Sequence, residues 1–190
     1  MSRPVNDARP AELLDAVVRY LVQHGLSRLS LRPLAKAVGS SPRVLLYYFE
    51  SSEQLIAKAL ARLRGLQRAE LIARYVSIAG APAAGYFAIW KAMTAPASEP
   101  LFRLFFEVYG LAVRQPRRFK PFLTSTVNDW LDAIDDAESR KRLGRRRSRA
   151  LATIVVAGFR GFMIDYLASR DRTRIDGAVR LWLRTLGELS

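Results

Sequence analysis

The sequence predicts an all-α chain: an N-terminal three-helix helix-turn-helix unit followed by an antiparallel helical bundle, about nine helices in total. Three observations predict it. Apolar residues recur at three- and four-residue spacing through most of the 190 residues, and no convincing alternating stretch occurs. Prolines and glycines break those periodic runs at helix-like lengths. The stretch AKAVGSSPRVLLYYF (35–49) then sets a glycine-serine turn between two short periodic segments.

The first helix runs from about Pro10 to His24. Pro10 suits a first turn, Leu13, Leu14, Val17, Val18 and Leu21 form one apolar stripe, and Gly25 stops the helix. Ser30 stands where it would cap a second helix from Leu31 to Val38 that buries Leu34, Ala35 and Val38. Gly39 ends that helix, since glycine accepts the positive φ of a tight turn without steric cost. Ser41 caps the third helix, Pro42 takes its first position, and Leu45 and Phe49, four apart, are its buried side. Ser51 or Ser52 caps a long fourth helix reaching Val76, with Glu53 and Gln54 where a capping box places them. Further helices fall near 82–95, 99–114, 117–136, 140–169 and 174–188. The breaks between them are Pro96, Pro100, Pro116, DDAESRK and SRDRTRI, and AGAPAAG (79–85) is a linker. The organisation that follows is a helix-turn-helix domain over 1–51 and a second domain over 52–190. The long helix of about 52–76 is the single element joining them.

Cysteine is absent and His24 is the single histidine. That excludes a disulfide framework, a cysteine nucleophile, a histidine-rich metal site and any two-histidine mechanism. GSS lacks the Gly-x-Ser-x-Gly of a nucleophile elbow, and AGAPAAG lacks the Gly-Lys-Ser/Thr ending of a phosphate loop. Neither catalysis nor a cofactor is expected, and His24 reads as a helix-end residue. The opening MSRPVNDARP has no apolar signal-peptide core, and the run Ala150 to Gly158 is too short to span a bilayer. The expectation is a soluble, cytoplasmic protein. A net charge of +14 points to an anionic partner, nucleic acid first. The excess is uneven: residues 1–50 and 51–76 carry +3 each, 77–136 are neutral, and 137–190 carry +8. SRKRLGRRRSR (139–149) reads as a solvated basic surface with a non-specific attraction for DNA.

The second helix of a helix-turn-helix lies in the major groove with its N-terminal residues on the base edges. Arg43, at that tip, can reach guanine O6/N7 bidentately or a phosphate, and Val44 offers an apolar edge to a thymine methyl. The Tyr47 and Tyr48 hydroxyls are phosphate donors, and Arg32 in the preceding helix points at the backbone or a groove edge.

At these residues the stretch LSLRPLAKAVGSSPRVLLYYFESSEQLI resembles the DNA-binding domain of TetR-family transcriptional regulators. The resemblance is strongest over 10–60; over 80–190 it is one of architecture. It implies a homodimer on a near-palindromic double-stranded DNA operator, with an effector-binding and dimerisation domain in the second part. Carried over by position, Arg32 matches the DNA-contacting start of the second helix, Ser41, Pro42, Arg43 and Val44 the base-reading tip, and Leu46, Tyr47 and Tyr48 the backbone-contacting end. The family often has Tyr where this chain has Leu46, and usually has Lys where this chain has Ser52. Ser52 can donate one neutral hydrogen bond to a phosphate, in place of the charge-assisted bond that a lysine makes.

The resemblance also implies a small-molecule effector. Phe87, Trp90, Phe102, Phe105, Phe106, Tyr109, Phe122, Trp130, Phe159, Phe162 and Tyr166 are the expected lining, each otherwise ordinary core, with Arg103, Glu107, Arg160 and Asp165 able to orient a polar group. The neutral charge of 77–136 favours a mostly apolar effector. For the dimer, Ala150, Ile154, Ala157, Gly161, Ile164 and Ala168 recur every three or four residues, with Val179, Trp182, Leu183 and Leu186 as the matching face of the last helix. The expectation is thus a ligand-responsive transcriptional regulator, a repressor. The alternatives are a sequence-tolerant DNA-architectural protein and a helical enzyme acting on an apolar substrate, and the second lacks any recognisable nucleophile or acid–base pair.

Overall fold

A computed structural model describes residues 9–26, 29–76, 82–117, 119–135 and 137–188, and among these the chain is all helix, with no strand. The helices are α1 (Arg9–His24), α2 (Leu31–Ala37), α3 (Pro42–Phe49), α4 (Ser52–Val76), α5 (Pro82–Met93), α6 (Glu99–Arg114), α7 (Lys120–Ile134), α8 (Ala137–Leu143), α9 (Arg145–Ser169) and α10 (Arg172–Glu188), with a 3-10 turn at Pro96–Ser98. Of the linker expected at 79–85, residues 79–81 lie outside the described residues, and residues 82–85 are helical, as the start of α5.

Among the described residues ten α-helices stand where about nine were expected, because the single helix placed over 140–169 is two. Gly144 separates α8 from α9 at φ +78, a conformation that side-chain-bearing residues rarely adopt. The periodic pattern runs on through it, so the break carries no strong signature beyond the glycine itself.

The chain forms two compact units, residues 1–66 with 103–123, and residues 67–102 with 124–190. Packing therefore groups the helix-turn-helix with the first part of α4 and with a segment from α6 and α7, rather than dividing the chain at residue 51. The expectation that α4 alone joins the two parts is corrected. The chain passes from one unit to the other within α4, within α6 and within α7.

In the first unit one continuous core holds Leu13, Val17, Val18 and Leu21 of α1, Leu34 and Ala35 of α2, Leu45 and Phe49 of α3, and Leu55, Ala59 and Leu60 of α4. Leu104, Val108, Ala112 and Phe122 complete it. Val38 packs at its edge, half-buried rather than buried. In the second unit α10 packs on α5 and α9. Trp90 is fully buried, with its indole N–H donating to Asp176 Oδ1 at 2.6 Å. Gly158 lets α9 and α10 approach: a β-carbon there would lie 2.3 Å from the Trp182 ring. α9 is long and apolar enough to cross a membrane by length and composition, but Val155, Val156, Phe159 and Met163 bury one side of it in this unit.

Candidate nucleic-acid interface and ligand region

Helix α3, expected to read DNA, is pinned on one side and exposed on the other. Ser41 sits in extended backbone before α3, and its Oγ accepts the Val44 N–H at 3.3 Å, satisfying one of the orphan donors of the first turn. Pro42 at the first position needs no such partner. Leu45 and Phe49 are buried in the core, and the Lys58 ammonium lies 5.8 Å from the Phe49 ring centroid. Gly39, at φ +63 with open space around it, makes the turn from α2, so its backbone and not crowding calls for glycine.

On the opposite side Ser41, Arg43, Leu46 and Tyr47 are exposed, as is Arg32 in the first turn of α2. Tyr47 is 75 % exposed and meets Tyr48 edge-on, ring centroids 5.1 Å apart. Pro42, Val44, Tyr48 and Ser52 are half-buried. A large aromatic held out into water next to an arginine gains nothing in the free protein, which fits a surface shaped for a partner. Ser30 occupies the cap position of α2 without a side-chain cap bond, whereas Ser51 caps α4 by accepting the Gln54 N–H at 3.1 Å. That leaves Ser52 in the first turn of α4, on the wall of a cavity.

Two neighbouring cavities are described within the first unit. The larger, about 330 Å³, is lined by Leu26, Leu29, Leu31, Leu34, Leu55, Ile56, Leu111 and Phe119, with Ser52 and Glu53 supplying polarity. The smaller, about 110 Å³, lies against Leu60, Arg64, Phe119 and Phe122. Of the aromatics expected to line a pocket, Phe122 borders this second space. Phe105 packs edge-on to Phe106 and against Tyr109 and Phe122 in the same unit. In the second unit Trp90 meets Phe162 and Tyr166, while Phe159 and Phe162 both meet Trp182. Phe87 lies under the Arg180 guanidinium, 3.8 Å from its ring centroid. Phe102 is buried, and Trp130 packs on Leu131, Ala152 and Val156.

Glu107, Arg160 and Asp165, three of the polar groups expected near a ligand, make contacts within the protein. Glu107 accepts the Leu26 N–H, with both carboxylate oxygens at 3.0 Å. Arg160 donates to the Thr126 carbonyl at 2.8 Å, and Asp165 takes two hydrogen bonds from Arg174, at 2.7 and 3.0 Å. His24 Nδ1 donates to the Tyr20 carbonyl, a helix-end bond. Among the described residues no cluster of three metal-ligating side chains occurs.

The expected dimer surface divides. Ala150, Ile154, Ala157, Gly161, Ile164 and Ala168 are all exposed, Ile154 at 47 % and Ile164 at 53 %. Val179, Leu183 and Leu186 are buried inside their own unit, and Trp182 is spent against Phe159 and Phe162. Their stripe attaches α10 to α5 and α9, so these four are corrected from interface to core; Leu181, 60 % exposed, lies on the other side of α10.

Asp135, expected within a helix break, is a buried hub. It accepts from Ser148 Oγ at 2.5 Å and from Arg140 Nε at 3.1 Å, and Arg149 lies 3.6 Å away. The Ser148 hydroxyl holds its carboxyl below the ordinary range against the opposing effect of burial, with Arg140 and Arg149 adding to it.

Residues 13–59 match the family model of bacterial regulatory proteins of the tetR family. The fold is shared with the multidrug binding protein EbrR complexed with imidazole, at TM-score 0.74 and 19 % identity over 98 % of this chain and 93 % of that one. A transcriptional regulator from Rhodococcus sp. Rha1 shares it at TM-score 0.73 and 18 % identity, over 93 % and 95 % of the two chains. NalD, the secondary repressor of the MexAB-OprM multidrug efflux pump in Pseudomonas aeruginosa, does so at 0.61 and 15 %, over 94 % of each. No curated protein sequence matches the chain.

Proposed function

We propose that this chain, a TetR-family DNA-binding transcriptional regulator and not an enzyme, is a cytoplasmic repressor that a small, mostly apolar effector releases from its operator. The observation that carries the DNA half is the presentation of Arg43 and Tyr47 on a helix pinned through Leu45 and Phe49. Arg32, Ser41, Pro42, Val44, Leu46, Tyr48 and Ser52 surround them as backbone and groove contacts. A homodimer reading two half-sites is supported by the exposed stripe of small and β-branched residues on α9, whose apolar surface one protomer leaves in water.

The effector half rests on two supports. Regulators of the same fold include a multidrug binding protein and a repressor of an efflux pump. In this chain the cavity of about 330 Å³ falls within the size of small-ligand sites, and its leucine-rich wall with Ser52 and Glu53 suits an apolar molecule with one polar end. That wall includes Leu31, the first residue of α2, and the first turn of α4, so an occupant would bear on both flanks of the reading helix.

The test is selection of bound duplexes from a random pool, followed by affinity on the winner and on scrambled DNA. A repressor prefers its operator by roughly 10³-fold or more. Equal affinity for all sequences would replace this reading by the architectural one.

A further inference from the structure

The basic stretch around Gly144 is left unused by the reading helix. It carries seven basic and no acidic side chains over 139–149. Three of the seven, Arg140, Arg147 and Arg149, are engaged within the protein. Arg140 donates to Asp135, and Arg149 donates to Asp132 at 2.6 Å. Among the described residues the nearby acids Asp132 and Asp135 are thereby taken, since Asp135 also accepts Ser148. Lys141, Arg142, Arg145 and Arg146 are exposed, and among the described residues none of the four has an ion-pair partner.

The placement is also fixed. Asp135 follows the end of α7, Arg140 lies on α8 and Ser148 in α9, so one buried carboxylate ties together both sides of the Gly144 corner. The unpaired cations project from a braced support rather than from a loose tail. Arg145 and Arg146 moreover stand in the first turn of α9, which has no acidic residue there and no side-chain cap. Positive charge at that end of a helix opposes the helix dipole, so the arrangement is unfavourable in the isolated protein.

We infer that Lys141, Arg142, Arg145 and Arg146 form a second DNA-backbone surface, one of sequence-independent affinity. The occupant is argued from charge complementarity. Guanidinium groups pair bidentately with phosphate oxygens, and a polyanion supplies several phosphates at the spacing a cluster needs. Residues 1–50 carry only +3 of the chain's +14, so most of the charge that attracts a polyanion lies outside the helix-turn-helix.

This inference rests on DNA being the partner, as proposed above, and the experiment separates the two. The full chain and the variant R142Q/R145Q/R146Q are titrated against a long random-sequence duplex and against the selected operator over a range of salt. The slope of log affinity against log salt on random DNA should fall by about 2–3 in the variant, near 0.9 for each phosphate no longer neutralised. Arg43→Ala should leave most of the random-DNA slope in place and lower operator preference. The variant's melting temperature should hold or rise, since it removes a helix-dipole conflict, which keeps a fold defect apart from a binding defect. An unchanged slope, beside a wild type that still prefers its operator, overturns the second surface and spares the repressor. A lower slope in a protein with no sequence preference upholds the surface and removes the repressor. Loss of binding to vesicles of phosphatidylserine and phosphatidylcholine, with DNA binding unchanged, also overturns it and makes a membrane the partner.

Discussion

The carboxylate of Glu107 holds the backbone N–H of Leu26, both oxygens at 3.0 Å, across 81 residues of sequence. Gly25 lies directly beneath at φ +72, and a β-carbon there would come within 2.6 Å of Glu107 Oε2. A turn that needs glycine for its backbone thus also needs it for the carboxylate. Glu107→Ala strands a half-buried amide and should cost about 1–3 kcal/mol of stability by urea titration. Gly25→Ala should cost at least about 1 kcal/mol through its positive φ. If Glu107→Ala unfolds at the wild-type urea concentration, the bond is ornamental.

Arg43→Ala should weaken operator binding by about 1–3 kcal/mol and relax base preference at one position per half-site. Arg43 is exposed and pinned by no described contact, so the fold should survive its removal. Tyr47→Phe should give a smaller loss, spread evenly over sequences, because a hydroxyl to phosphate carries no base information. Full operator affinity in Arg43→Ala takes this residue out of the contact set.

Gly161→Arg should convert a dimer to a monomer and abolish operator binding. The site is exposed, with no neighbouring atom within 4 Å of a β-carbon, so the protomer itself tolerates the change. Light scattering decides it: a wild type that is monomeric at micromolar concentration ends the dimer proposal.

Asp135 gives the chain a pH signature. Its carboxyl titrates below the ordinary 3.8 because Ser148, then Arg140 and Arg149, favour the charged form. A depressed carboxylate stabilises fully above the unfolded value, and that stabilisation is lost as pH falls through the folded one. Ser148→Ala removes the largest cause, so acid unfolding followed by circular dichroism should begin at higher pH. Coincident curves for the two proteins would show that the hub does not govern the acid limb.

An effector with a 100-fold preference for the DNA-free state corresponds to roughly 2.7 kcal/mol of coupling, and operator must weaken the effector by the same factor. Titrations with and without operator, followed by tryptophan fluorescence or calorimetry, should differ by that ratio. A ligand that binds equally in both is no inducer.

The reading head was legible because its signals are local. Ser41, Pro42 and Gly39 dictate their own backbone, and the four-residue step from Leu45 to Phe49 names its buried side. What the sequence does not disclose is which partner a stripe meets. Val179, Leu183 and Leu186 form as good an apolar side as Ile154 and Ile164, yet the first set closes a core and the second stays in water. The aromatics tell the same story: their number alone does not say which rings pack edge-on against one another, as Phe159 does on Trp182. Asp135 and Glu107 were missed as hubs because their partners lie far along the chain or beyond a break, where spacing says nothing.

Leu104, Val108, Ala112 and Phe122 share one core with the helix-turn-helix. The helix-turn-helix is therefore not a module that can be lifted out. A fragment ending after residue 66 would leave the apolar wall of α1 and α4 uncovered, and a chimaera that swaps only the first 51 residues would set a foreign head on a native clasp. Exchange of specificity between relatives of this fold has to carry both pieces of chain, or be confined to the outward side of α3.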